Sequence, residues 1–186
     1  MTIYQVQTLE TAPEKSREAM LRLKNSAGMI PNLAAMMSTS PTLIDAFVTL
    51  REIYSAGTLD ARERETLGLT NAVENGCEWC VAFHSFVALK VGVDEETIRR
   101  LRSGGDPDDA RLRALTSLTR QLIRNRGKLD RADLDAFVGA GFGKDQALEV
   151  VTGLAVSVLA NYAGNFVGPE LDAPIRSQQW SRGSQV

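Results

Sequence analysis

The chain is poor in the residues that carry most chemistry. Its 186 residues include two cysteines, one histidine and two tryptophans, and aromatic residues make up 6%. Two cysteines cannot build the disulfide framework of a small secreted domain, and a chain this long buries a sizeable core without such staples. A dominant charge is missing too, since 21 Lys and Arg stand against 23 Asp and Glu, a formal net charge of -2. Composition therefore gives no reason to expect a nucleic-acid partner. The apolar stretches fall short of the roughly 20 residues of a membrane span. The N-terminal "MTIYQVQTLETAPEKSREAM" lacks the basic and then apolar layout of a signal peptide. A cytoplasmic protein without a membrane partner is expected, and in a reducing compartment a closely spaced cysteine pair points to redox or metal chemistry rather than a permanent staple.

Strand signals are scarce, and the punctuation that is present is helical. Ser40-Pro41 reads as an N-cap followed by proline at the first helical position, and Asp60 with Glu63 as a capping box. Asp94 and Asp130 read as further N-caps, and Pro31 as the opening of a short helix through "NLAAMM". Together these predict helices over about 13–25, 31–38, 41–55, 60–74, 77–91, 94–103, 108–125, 130–139 and 144–163. The fold class is all-α, and residues 1–186 read as a single domain, because "SGGDP" (103–107) and "AGFG" (140–143) are short enough to be helix connections. "DQALEVVTGLAVSVLANYAG" is apolar on nearly all sides, which calls for burial in a large core or a subunit interface. "RSQQWSRGSQV", residues 176–186, reads as a loose polar tail or a strap onto a neighbouring subunit, and "RRLR" (99–102) as a solvated helix face.

Both cysteines and the only histidine lie within "NGCEWCVAFH", residues 75–84. At about 100° per residue, with Cys77 at zero, Cys80 falls near 300° and His84 near 340°, so the three share one narrow helix face. Glu78 and Trp79 point elsewhere, and Trp79 reads as an apolar anchor on the opposite face. If the helix starts at Gly76, Cys77 lies in its first turn, where free N–H groups and the helix dipole favour a thiolate. Cys80, one turn before His84, has instead a base or cationic partner that can activate it. The histidine needs a carboxylate to fix its tautomer, and Glu63, Glu65 and Glu74 on the preceding helix are all candidates that spacing does not separate. Zinc held by the cysteines, His84 and a glutamate is the rival reading. Against it, structural zinc sites find a second ligand pair elsewhere, and this chain has no further Cys or His.

The segment "ARERETLGLTNAVENGCEWCVAFHSFVALKVGV", from Ala61 to Val93, resembles the core hairpin of the alkylhydroperoxidase D and carboxymuconolactone decarboxylase family. The thiol-active branch of that family carries a glutamate, eleven residues, Cys-x-x-Cys, three residues and a histidine, and Glu65, Cys77, Cys80 and His84 match all four positions. "GMIPNLAAMMSTSPTLIDAF" is similar to the longer, peroxidase-related members, and the resemblance spans roughly residues 28–170. It implies an all-helical homo-oligomer (dimer, trimer or hexamer) acting as a peroxidase, with no cofactor and no resident metal. By resemblance Cys80 attacks a small organic hydroperoxide after deprotonation through His84 and Glu65. Cys77 then closes the disulfide, and an external dithiol or lipoyl-bearing protein reduces it, with a peroxiredoxin as a further partner. Trp79 departs from the best-known members, which place a second histidine between the cysteines. The family also implies a lactone decarboxylase, whose members generally lack the cysteine pair, and a non-enzymatic zinc-binding or redox-sensing oligomer is the third expectation. "NYAGNF" (161–166) and "GPELDAPI" (168–175) resemble the family's C-terminal stretch, which implies polar groups lining the pocket. There Asn161 and Asn165 either line the pocket or, more in keeping with asparagine's habits, make capping or buried polar contacts.

Overall fold

The computed structural model describes residues 3–183, and those residues form helices and loops with no strand. The helices are α1 (Glu14–Ala27), α2 (Asn32–Met37), α3 (Pro41–Ser55), α4 (Ala61–Asn75) and α5 (Glu78–Lys90). They continue as α6 (Glu95–Arg102), α7 (Ala110–Arg124), α8 (Arg131–Gly139) and α9 (Lys144–Val167), followed by a 3₁₀ turn, Ala173–Gln178.

Most starts fall where the capping residues put them. Ser40 Oγ accepts from the Leu43 N–H ahead of Pro41. The Asp60–Glu63 box closes with reciprocal bonds of 2.8 Å, and Asp94 and Asp130 accept from Thr97 and Asp133 N–H. Each bond satisfies a donor that the first helical turn leaves open. One helix end differs from its predicted place: α9 continues to Val167, through Gly164, whose inward face lies against the cysteine sulfurs and has no room for a side chain.

Helices α4 and α9 form the centre, with α3, α5 and α7 packed against them. On one side lies a core built from α1, α2, α5 and α6, including Met20, Met37, Val81 and Leu101. On the other, Leu67 of α4 and Val150 of α9 pack with Leu115 and Leu118 of α7 and Phe137 of α8. Between α4 and α9 runs a polar seam in which Asn161 Nδ2 donates to Asn71 Oδ1 at 3.2 Å and Asn165 Nδ2 to the Asn75 carbonyl at 2.9 Å. The asparagines thus serve as contacts between helices rather than as pocket lining.

By length and composition α9 could cross a membrane, but its Val150, Gly153, Val156, Ser157, Asn161 and Gly164 face is buried in the protein. Its other face is uncovered, with Leu148 72% and Phe166 73% exposed. Gly153 and Gly164, eleven residues apart, lie within about 20° of one another round the helix and receive Tyr54 and Cys77 respectively.

The polar segment after 176 is not a loose tail over its described part, which ends at 183. Arg102 Nη1 donates to the Gln178 carbonyl at 3.0 Å and Nη2 to the Gln179 carbonyl at 2.8 Å, and Trp180 Nε1 returns a bond to the Arg102 carbonyl at 3.2 Å. The segment therefore straps onto its own chain, and Arg102 leaves the solvated face that Arg99 and Arg100 share with Glu96. Residues 184–186 lie outside the described residues.

An alanine Cβ at Gly153 would sit 2.7 Å from both Cζ and the hydroxyl of Tyr54. Gly153→Ala is expected to cost about 1–3 kcal/mol of unfolding free energy through overpacking. Gly139→Ala, on an exposed helical position with nothing within 4 Å, should be neutral or add less than about 1 kcal/mol; denaturant titration of the two variants measures both.

Candidate active site

The site is built on the turn between α4 and α5. Gly76 adopts the left-handed conformation (φ 65°, ψ 32°), and the Cys77 N–H bonds back to the Ala72 carbonyl at 2.9 Å, so two residues reverse the chain. Cys77 is therefore the N-cap of α5 rather than a residue of its first turn. Its sulfur faces the same free N–H groups that the first-turn position would have met.

Both cysteines are free, 1% exposed, and turned towards Gly164 of α9. A Cβ on that glycine would lie 2.8 Å from Cys77 Sγ and 3.7 Å from Cys80 Sγ. Hydrogen bonding from the Cys80 side chain holds the Cys77 thiol below its ordinary value, helped by the Cys80 and Trp79 N–H groups and opposed by burial and the Glu78 charge. Burial pushes Cys80 well up, and its neighbour's sulfur adds to the rise. Cys77 is thus the first of the pair to ionise, and a charge on its sulfur holds the proton on Cys80.

Of the three candidate glutamates, Glu65 reaches the histidine: His84 Nδ1 and Glu65 Oε2 are 2.8 Å apart. The other two are engaged elsewhere. Glu63 closes the capping box and pairs with Arg111 at 2.6 Å, and Glu74 pairs with Arg124 at 2.7 Å and Arg120 at 3.4 Å. An Nδ1–H donated to Glu65 leaves Nε2 as the imidazole's free acceptor. Among the described residues no hydrogen bond joins His84 to either sulfur, so a proton passing between them needs a bridging molecule. Gly68, one turn beyond Glu65, makes room for the ring, since a Cβ there would lie 2.6 Å from Nδ1 and 2.9 Å from Nε2 of His84. A lone glycine inside a helical pattern is the signal that could have marked it.

Cys80, His84, Glu65 and Gly68 line a cavity of about 420 Å³, within the range that holds a small organic molecule. Cys77 lies behind Cys80 and is not part of its wall. Trp79, expected on the opposite face, lines this cavity instead. Its ring stacks on Phe83 at 5.2 Å between centroids, and its Nε1 donates to Asp172 Oδ2 at 3.1 Å. Asp172 also accepts from the Asn32 N–H at 2.9 Å, so the strap's beginning closes the cavity against α2 and α5. The resemblance of residues 168–175 to the family's C-terminal stretch places pocket-lining polar groups in this part of the chain, and Asp172 is the one that lines the cavity. Among the described residues no three His, Cys, Asp or Glu side chains are grouped closely enough to hold a metal ion.

A buried Cys-x-x-Cys dithiol on a helical hairpin within an all-α frame is the alkylhydroperoxidase D-like fold, and solved structures share it along nearly the whole chain. The uncharacterized peroxidase-related alkylhydroperoxidase AhpD core from Ralstonia eutropha JMP134 is 20% identical, with a TM-score of 0.80 over 97% of this chain and 98% of that one. A peroxidase-related protein from Silicibacter sp. TM1040 is 17% identical, with a TM-score of 0.78 over 95% of each chain. The debrominase Bmp8 is also 17% identical, with a TM-score of 0.78 over 96% of each chain, and a cysteine-to-alanine variant of it is solved with 2,3,4-tribromopyrrole. Residues 41–121, the segment that holds Glu65, Cys77, Cys80 and His84, match the carboxymuconolactone decarboxylase family. No sequence among the curated proteins matches this chain.

Reduced protein titrated by thiolate absorbance should give one step below the ordinary cysteine value and one well above it. Cys77→Ser should remove the low step. Cys80→Ala should raise the Cys77 step, because it removes the hydrogen bond that stabilises the thiolate most.

Proposed function

We propose that the protein is a thiol-dependent alkyl hydroperoxide reductase and disulfide oxidoreductase, with Cys77 and Cys80 as the redox pair and Glu65–His84 as the proton relay. The observation that carries this reading is the convergence of Cys80 and the Glu65–His84 pair on one cavity, with Cys77 directly behind Cys80. Cys80 faces the substrate and Cys77 does not, so Cys80 is the attacking sulfur. Its raised pKa makes deprotonation the step that needs help, and His84 Nε2 takes the proton through a bridging water or the substrate hydroxyl.

Attack on the terminal peroxide oxygen forms an S–O bond and breaks the O–O bond. The alkoxide leaves as alcohol with the proton held on His84, and Cys80 becomes a sulfenic acid. Cys77, poised as a thiolate at the helix N-terminus, attacks that sulfur. A disulfide forms and hydroxide leaves as water, with two electrons in all given to the peroxide. An external dithiol then resets the pair. The near-complete burial of both sulfurs favours a slender lipoyl arm entering the cavity over direct contact with a bulky protein surface, and a peroxiredoxin fits downstream as a disulfide partner of the same chemistry. We further propose a homo-oligomer that covers the exposed α9 stripe of Leu148, Val151, Tyr162 and Phe166.

A second reading is favoured by the aromatic wall of Trp79, Phe83 and Phe86. A halogenated aromatic stacked there would accept the same two electrons, replacing carbon–halogen by carbon–hydrogen as the pair becomes a disulfide, the reaction class named for the debrominase of like fold.

Single turnover separates the two. Reduced, metal-free protein is mixed with one equivalent of cumene hydroperoxide or of 2,3,4-tribromopyrrole, and thiols, peroxide and bromide are counted. We expect both thiols to disappear with one hydroperoxide consumed, no reaction in Cys80→Ser, and a rate lowered about 10²–10⁴-fold in Glu65→Gln, the usual worth of acid–base help. Thiols that survive hydroperoxide but are lost with stoichiometric bromide release would replace the peroxidase reading with the second one. Gly68→Ala, by pushing the imidazole off Glu65, should slow hydroperoxide consumption in the same way while leaving the low thiolate step of Cys77 in place.

A further inference from the structure

The cavity that holds the dithiol is apolar over most of its wall, through residues such as Leu33, Met37, Phe47 and Val87, yet three cations from three different helices line it: Arg51 of α3, Arg64 of α4 and Lys90 of α5. Seven other arginines of the chain, among them Arg22, Arg111 and Arg124, lie within 4.0 Å of a carboxylate. These three do not, among the described residues. Arg51 Nη1 donates to Ser26 Oγ at 3.3 Å, Arg64 Nη1 to the Leu59 carbonyl, and Lys90 Nζ lies 4.3 Å over the Phe86 ring.

The carboxylates nearby are already taken. Glu65 is held by His84, and Asp172 by the Asn32 N–H and Trp79 Nε1. Glu149, close enough to feel the Arg64 charge, spends its oxygens on the Thr58 N–H and hydroxyl and on the Leu59 N–H. Half-buried guanidinium groups beside an apolar wall gain most from an anion that arrives with the ligand, because a planar fork of donors matches a carboxylate and the low-dielectric surroundings strengthen the pairing.

Resting on the reading of this cavity as the substrate site, we propose that the substrate carries a carboxylate, held by Arg51, Arg64 and Lys90, with an apolar body along the cavity wall and its reacting group at Cys80. The ligand class is an amphipathic organic acid, and for the peroxidase reaction a carboxylate-bearing hydroperoxide. The cations then do two things. They raise the local concentration of acidic substrates around a protein whose net charge is negative, and they fix which end of the substrate enters first.

Binding is tested apart from turnover. Redox-inert 4-isopropylbenzoate and its neutral methyl ester are titrated into the reduced full-length protein by calorimetry. The acid should bind at least about tenfold more tightly than the ester, in keeping with one charge-assisted hydrogen-bonded contact, with a preference that shrinks as salt is raised. Arg51→Gln and Arg64→Gln should each cut that acid-to-ester preference several-fold. The proposal is overturned if the acid fails to bind, if the ester binds as well as the acid, or if neither arginine change lowers the preference.

A parallel arm compares 4-carboxycumene hydroperoxide with cumene hydroperoxide in single turnover. A kept acid preference in binding together with unoxidised thiols would remove the peroxidase reading and leave the carboxylate site standing. Thiol oxidation without any acid preference in binding would do the reverse.

Discussion

One residue in the left-handed conformation holds the site together. Gly76 turns α4 directly into α5, and because the connection is only Gly76 and Cys77, the start of α5 is locked to the end of α4. The chemistry depends on that register. It puts Cys77 at a helix N-terminus, sets Cys80 a turn further on against the same glycine of α9, and brings His84 over Gly68 to meet Glu65 from the neighbouring helix. A longer connection would let α5 slide or rotate, and a 2.8 Å hydrogen bond between residues nineteen apart in sequence would be the first casualty.

The electrostatics of the pair follow from its packing. Two thiols pressed together out of water do not both ionise readily, and the hydrogen bond from Cys80, helped by the helix N–H groups, favours the charge on Cys77. The sulfur with the easier ionisation lies behind, and the one that faces the cavity keeps its proton. Such a division suits the proposed reaction, in which the sulfur facing the cavity waits for a base and the one behind it ionises first. Glycines are the means of this packing at Gly68 and Gly164, where one carbon more would displace the imidazole or the sulfurs.

Much of this was legible in the sequence, in proportion to how local its causes are. Caps such as Asp60–Glu63, Asp94 and Asp130 act within four residues, so the helix starts they mark could be read directly. The shared face of Cys77, Cys80 and His84 is helical arithmetic. The choice of Glu65 needed either the resemblance to a family or the structure, because Glu63 and Glu74 were eliminated only by distant partners, Arg111, Arg120 and Arg124. Trp79 was misplaced for a related reason. The angle round its own helix says nothing of a cavity wide enough to span that helix's flank, nor of an aspartate ninety-three residues away that takes its indole N–H. The segment after residue 176 could be read as a tail or as a strap onto a neighbour, but not as a strap onto its own chain, since its Gln178 and Gln179 carbonyls accept from a single distant arginine that leaves no periodicity in the text.

The hook that Asp172 makes on Asn32 joins residues 140 apart, and its bond to Trp79 joins residues 93 apart. The hairpin bearing the thiols is therefore synthesised well before the residue that ties its cavity wall to α2 exists. For that interval the two sulfurs and their aromatic wall lack the cover that later encloses them, so the nascent chain passes through a stage more open to oxidation than the finished protein. Closure of the cavity is thus an event in the life of the chain as well as a feature of its shape, because both the helix against which the sulfurs pack and the aspartate that ties Trp79 to α2 come late in synthesis.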